Sequence, residues 1–240
     1  MTSWQDFTSS VAQRTEYDDY FSLENPRMLR IVLKDQKATA KVGSWIASLG
    51  KVNMKREDPW SQGILNLVKK KVTGEGLWMI ELSGYGAAFL ADHGKFVYLF
   101  SLQDEGVVIN GNDVLAFGEG ISWDIKLMRG MSSILQGGFF NVVLNGTGVV
   151  AITTHGNPIT IRVDKRHPVQ TDPHATVAWS ESLTPSLVTS VTVRTLLGRK
   201  TGEEIKMNWS GEGWVVIQPY EEIYLVDKGY DPRDQVALKP

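Results

Sequence analysis

A long stretch of this chain repeats itself without a gap. Residues 74–127 lie over 136–189 at a constant offset of 62, placing Gly76 on Gly138, Leu82 on Leu144, Gly84 on Gly146 and Gly86 on Gly148. The same offset sets His93 on His155, Gly94 on Gly156, Val107 on Val169 and Ala116 on Ala178. An offset of 69 lays the N-terminal region over the second half of that unit, pairing Leu33 with Leu102, Asp35 with Asp104 and Ala47 with Ala116. Gly211-Glu212-Gly213 repeats Gly74-Glu75-Gly76 ahead of a similar apolar run, and so supplies a first half for the N-terminal copy. Repetition at a period of tens of residues constrains architecture before any motif does. It predicts three units, with the first built from both ends of the chain.

The division that follows is an N-terminal extension at 1–24, a first module at 25–73 completed by 211–230, a second at 74–135, a third at 136–210, and a tail at 231–240. In the extension, Trp4, Phe7 and Val11 suit a short docking helix or arm. From Leu29 onward short apolar runs rich in β-branched and aromatic residues, such as Arg30 to Leu33, Phe96 to Phe100 and Ile159 to Val163, are closed by Gly, Asn, Asp or Pro. Such runs read as strands, and the 23 glycines supply turn conformations between them. Only Pro59 to Lys70 offers a helical period. The fold class is all-β, with three pseudo-repeated modules in pseudo-threefold symmetry.

The connections between units are unequal, at 29 residues from Ala47 to Gly76, 22 from Ala116 to Gly138 and 35 from Ala178 to Gly213. Variable connections are where a repeat protein installs specificity. That directs the search for a partner surface to residues 58–71, 129–136 and 185–202.

Chemistry is harder to find. The chain has no cysteine, which removes disulfides, thiolate metal sites and thiol nucleophiles. A formal charge of -2 and a pI near 6.1 give no general attraction for nucleic acid or anionic lipid, and Lys69-Lys70-Lys71 is a local basic run only. The acidic residues Asp6, Glu16, Asp18, Asp19 and Glu24 argue against a leader peptide, and no run approaches the ~20 apolar residues of a membrane span. A cytoplasmic location is expected.

The four histidines are His93, His155, His167 and His174. A cupin-like metal site needs paired histidines one residue apart on a strand face, and that spacing is missing. His93 and His155 are repeat equivalents, each before a glycine, as in a hairpin turn. His167 and His174 fall in a loop of the third unit. No Gly-x-Ser-x-Gly elbow occurs. Gly74-x-Gly76 and Gly84-x-Gly86 precede strands rather than the helix a phosphate loop requires. Large apolar columns containing Trp78, Trp179 and Trp214 suit packing or subunit contact. The reading therefore assigns no catalytic residue, cofactor or metal, and keeps His93, His155, Trp78 and Trp214 as ligand or interface candidates.

The blocks Gly74 to Gly86, Val114 to Phe117 and Ser210 to Gln218 resemble the altered inheritance of mitochondria protein 24 family over roughly residues 25–228. The resemblance implies modules similar to the tryptophan RNA-binding attenuation protein, each a β-sandwich or short double-stranded β-helix, and a trimer of nine modules in a ring. It implies no catalytic residues. Residues and resemblance together point to a non-enzymatic oligomeric scaffold or binding protein whose partner is a protein or a membrane-associated assembly. The alternatives are a small-ligand or RNA-binding ring and, further off, a metal-dependent cupin-like enzyme.

Overall fold

The computed structural model describes residues 2–14, 19–56, 79–126, 140–189 and 205–221. Within them the chain is nearly all strand, with one α-helix, α1 (Trp4–Ser10), and a 3-10 turn at Pro173–Ala175. Ser3 caps α1 in a capping box with Asp6, and none of its side chains is buried.

The strands are β1 (Phe21–Asn25), β2 (Met28–Lys34), β3 (Ala38–Lys41), β4 (Trp45–Arg56), β5 (Met79–Leu90), β6 (Phe96–Asn110), β7 (Val114–Gly118), β8 (Ile121–Lys126), β9 (Asn141–Thr154), β10 (Ile159–Val163), β11 (Gln170–Thr171), β12 (Thr176–Ser180), β13 (Thr184–Thr189), β14 (Ile205–Ser210) and β15 (Gly213–Ile217). One sheet runs β1-β2-β5-β3-β7-β9-β6-β12-β15-β10, with β4 on β5 and β8 on β9; a second is β11-β14-β13. Every strand pair is antiparallel.

Each long strand draws in the strands that precede it in the sequence. β5 pairs with β2, β3 and β4. β9 pairs with β6, β7 and β8. β15 pairs with β10 and β12, and β14 with β11 and β13. This corrects one sequence expectation: residues 213–217 complete the group of β10 to β14, not the N-terminal strands, whose partner is β5. Backward antiparallel pairing needs only short turns, so contiguous groups form in preference to closure through both termini. A second difference lies at the N-terminus, where β1 falls largely inside the segment assigned to the extension and buries Phe21 against β2. A third is Thr184–Thr189, expected within a connection but paired as β13 along the whole of β14.

Equivalent residues of the repeat share ladder positions. Leu33 faces Gly86 and Leu102 faces Gly148. A register shift falls immediately before Ala47, Ala116 and Ala178, at Trp45/Ala47, Val114/Ala116 and Thr176/Ala178. Such bulges bend a strand sharply, so the repeated alanine marks a bend. Asp35 and Asp104 both adopt a left-handed backbone, with φ of 69° and 58°.

Gly84 and Gly146 explain the bend of the two long strands. Their φ values are +107° and +127°, and a Cβ there would overlap the carbonyl oxygen of Lys51 and of Gly120, respectively. Only glycine meets both demands.

Three apolar clusters fill the interior. The first centres on Leu29, Ile31, Leu33, Leu82 and Leu90. The second centres on Ile109, Phe117, Val142, Leu144 and Val150. The third holds Trp179, Met207, Trp209 and Val215, with the two indoles 5.2 Å apart. Neighbouring groups join through β3·β7 and β6·β12, and Ala116 and Ala178 sit in those joints as buried residues.

Candidate functional site

The densest polar chemistry lies where the first two groups meet at one rim. Lys41 ends β3, Asp92 and Lys95 flank the β5–β6 turn, Asp113 precedes β7, and Thr153 lies near the end of β9. β3 pairs with β7 through Ala38, Thr39 and Ala40, and that pairing carries Lys41 to the β6–β7 turn. Lys41 Nζ donates to Asp92 Oδ2 at 2.7 Å and to the Asn112 carbonyl at 2.9 Å. Lys95 Nζ donates to Asp113 Oδ1 at 2.9 Å, with side chains only 6% and 0% exposed. Thr153 Oγ1 reaches Asp92 Oδ2 at 3.4 Å.

Burial pushes the Asp92 carboxyl up, but Lys41, His93 and Lys95 outweigh it and hold the group below its ordinary value. Asp92 is thus ionised and already saturated with donors. A low-pKa, fully paired carboxylate is a weak proton acceptor near neutrality. The arrangement acts as a clamp joining β3, the β5–β6 turn, the β6–β7 turn and β9.

The rim has an uncharged counterpart at the next joint. Asn110 takes the place of Lys41, and Thr154 that of Asp92. There Asn110 Nδ2 donates to the Thr176 carbonyl at 3.5 Å, and Gln218 Oε1 accepts from the His155 backbone N–H at 2.7 Å. Sequence reasoning missed this cluster because its members are scattered and fit no motif. A signal was present: the positions Lys41, Asn110 and Asp172 are polar in every unit, as are Asp92, Thr154 and Gln218.

The structure does not bring the sequence candidates together. His93 sits in the β5–β6 turn with a left-handed φ of 46°, its side chain 89% exposed and its Nδ1 2.7 Å from Asp92 Oδ1. His155 occupies the equivalent turn and stacks on Tyr220 with centroids 4.1 Å apart. Trp214 lies on β15, 51% exposed, with the Arg162 guanidinium 6.0 Å from its ring centroid. His167 pairs with Asp164 across a tight turn, where the Arg166 backbone N–H and then His167 hold the Asp164 carboxyl below its ordinary value. His174 lies in the 3-10 turn, its N–H donating to Asp172 Oδ1 at 2.7 Å. Among the described residues no three His, Asp or Glu side chains converge as metal ligands, and no helix is long and apolar enough to cross a membrane. Trp78, Lys69 to Lys71, the Pro59 to Lys70 segment and the connection at 129–136 lie outside the described residues.

The fold has a solved counterpart. The X-ray crystal structure of Protein SPYM3_0169 from Streptococcus pyogenes aligns with a TM-score of 0.65 at 18% identity, over 84% of this chain and 92% of that one. At that identity the likeness speaks for the fold alone. No curated protein matches the chain. The family model described as mitochondrial biogenesis AIM24 matches residues 21–220, from the first buried strand to the last described turn, and the chain belongs to that family.

Proposed function

We propose that this protein is a non-enzymatic scaffold of three like β-modules that assembles with further copies of itself into a ring and presents that ring to a protein partner. The observation that carries the reading is the strand pairing among the described residues: β1, β4, β8, β10, β11 and β13 each have one partner strand, and of these β4 and β11 are repeat equivalents of strands, β7 and β3, that are paired on both sides. β4 pairs with β5 alone, and β11 with β14 alone, among the described strands. Open strand edges recruit another strand unless they are blunted, and ring closure pairs those that lie at the joints between copies. The shared ladder positions of the repeat and the bulge before each repeated alanine support three modules. Lys41, Asp92, Lys95, Asp113 and Gln218 each make at least one hydrogen bond within the fold at the two rims, which supports a structural role for them over a catalytic one.

The test is native mass spectrometry of the purified chain across a dilution series. A trimer that persists at micromolar concentration is expected, and a monodisperse monomer would refute the assembly. A second reading, a ring that binds RNA or a small aromatic ligand, is favoured by exposed Trp214 with Arg162 beside it. Retention of single-stranded RNA at low salt, where phosphate contacts are strongest, tests it. No retention would remove it.

A further inference from the structure

We infer that β4 of one copy adds to β11 of a second copy, head to tail, with Ser48 opposite Gln170 and Ala47 opposite Thr171. The inference rests on the ring reading above and specifies its interface.

The template is inside the chain, twice. At the first joint β3 meets β7 with Ala40 facing Ala116, Thr39 facing Phe117 and Ala38 facing Gly118. At the second β6 meets β12 with Ile109 facing Ala178, Val108 facing Trp179 and Val107 facing Ser180. The repeat offsets carry one joint onto the other, since 40 plus 69 is 109 and 116 plus 62 is 178. Moving one unit further takes Ile109 and Val108 to Thr171 and Gln170, the outer edge of β11. Moving β12 back by both offsets, 131 residues, takes Ala178, Trp179 and Ser180 to Ala47, Ser48 and Leu49 on β4. A third joint of the same register is therefore written into the chain, but its two halves are not paired with each other.

Burial shows the same thing. The β7 residues Val114, Leu115, Ala116 and Phe117 are at most 1% exposed, and the β12 residues Val177, Ala178 and Trp179 at most 4%. Their equivalents on β4, Trp45 to Ser48, are all exposed, with Trp45 at 40% and Ile46 at 51%, and so is the next residue, Leu49, at 42%. The bulge that shapes β7 and β12 for their neighbours is present in β4 as well. β4 thus has the form of a joint strand without the neighbour among the described strands. A contiguous apolar edge of this kind marks an interaction site. The occupant that fits is a β11 edge, because an edge of that type covers both equivalent strands. A two-fold pairing of β4 with β4 would match no joint in the chain. A head-to-tail joint uses different patches on the two copies, the kind of contact that generates a ring when the rotation between copies closes.

The chain lacks cysteine, so crosslinks report only what is introduced. Two single variants, Ser48→Cys and Gln170→Cys, are mixed, equilibrated and oxidised mildly, then run on a non-reducing gel beside native mass spectra. Both positions are exposed in the single chain, which leaves its folding undisturbed. Facing residues of an antiparallel pair lie about 4.5–5.5 Å apart at Cα, within disulfide reach. A covalent dimer in the mixture is expected at about tenfold or more over a Lys51→Cys control, which lies three residues, roughly 10 Å, along the strand. Self-crosslinking of either variant alone would indicate a two-fold interface and overturn the inference. An oligomer by mass with no Ser48–Gln170 crosslink would overturn the register while leaving the ring intact. A monomer by mass would remove the ring and this joint with it. Ile46→Lys or Leu49→Lys is expected to convert the oligomer to a folded monomer with an unchanged circular dichroism spectrum; an unaltered oligomer would also overturn the inference.

Discussion

Breaking the Lys95–Asp113 pair tests whether the rim cluster clamps the fold. The pair is as buried as any in the described residues, with side chains 6% and 0% exposed and an N–O distance of 2.9 Å. Removing one partner of such a pair leaves an uncompensated charge and costs about 3–5 kcal/mol. Lys95→Met strands the Asp113 carboxylate and weakens the field that keeps Asp92 ionised, so the upper half of that range is expected. The double variant Lys95→Met/Asp113→Leu leaves no stranded charge. Replacing both partners with apolar groups of similar size is often neutral or stabilising. The double variant is thus expected to be more stable than Lys95→Met alone by several kcal/mol, on the order of the single-variant cost. Urea unfolding at one fixed protein concentration reads this as midpoint shifts at constant slope. A cost of Lys95→Met below about 1 kcal/mol, the range of an exposed pair, would sink the clamp. So would a double variant no more stable than the sum of its singles.

Gly84→Ala and Gly146→Ala each combine left-handed backbone strain, about 1–3 kcal/mol, with overlap against a carbonyl oxygen. Gly43 has φ +86° but nothing within 4 Å, so Gly43→Ala carries the strain alone. Thermal melts are expected to rank Gly43→Ala as the mildest of the three, and an equal rank would refute the steric account. Burial, with the nearby charge of Glu119, pushes the Tyr20 hydroxyl up to about 12, and that hydroxyl donates to the Lys37 carbonyl. Because the folded value lies above the ordinary 10, the contribution is complete below pH 10 and is lost as pH rises toward 12. Tyr20→Phe is expected to flatten the alkaline limb of a stability-versus-pH curve, and an unchanged limb would count against it.

The strand class and the spacing of equivalent positions were legible in the sequence because hairpin strands carry their period locally. The offsets that align Leu33 with Leu102 also align their partners, Gly86 with Gly148. The phase of the repeat was not legible. An offset says which residues are alike but not where a unit begins, and only the pairing of β5 with the strands before it decides that. The repeated histidines proved a poor guide to chemistry, since the repetition follows a turn: His93 supplies the left-handed residue and Gly94 follows with φ +72°. The buried charges escaped notice for the opposite reason. Lys41 lies 51 positions from Asp92 and 71 from Asn112, and meets them only because β3 pairs with both β5 and β7.

The two joints inside the chain are alike in backbone and different in charge, and acid should separate them. At the first, Asp92 is held below its ordinary value of 3.8 by partners from β3 and the β5–β6 turn. A depressed folded value means the stabilisation is present above the unfolded value and is lost as pH falls through the folded one. The window therefore opens just below pH 4 and extends downward. At the second joint the buried polar side chains of the rim are Asn110, Thr154, Thr176 and Gln218, none of which takes up a proton in that range. Amide hydrogen exchange, corrected for the intrinsic rate at each pH, resolves the joints separately. Between pH 5 and 3 the amides that bridge β3 and β7 are expected to lose protection before those that bridge β6 and β12. Asp92→Asn, which cannot titrate, is expected to erase the difference in pH dependence at the cost of a weaker first joint at neutral pH. Simultaneous loss at both joints in the wild-type chain would mean that the fold opens as one cooperative unit and that the charged rim does not set its acid limit.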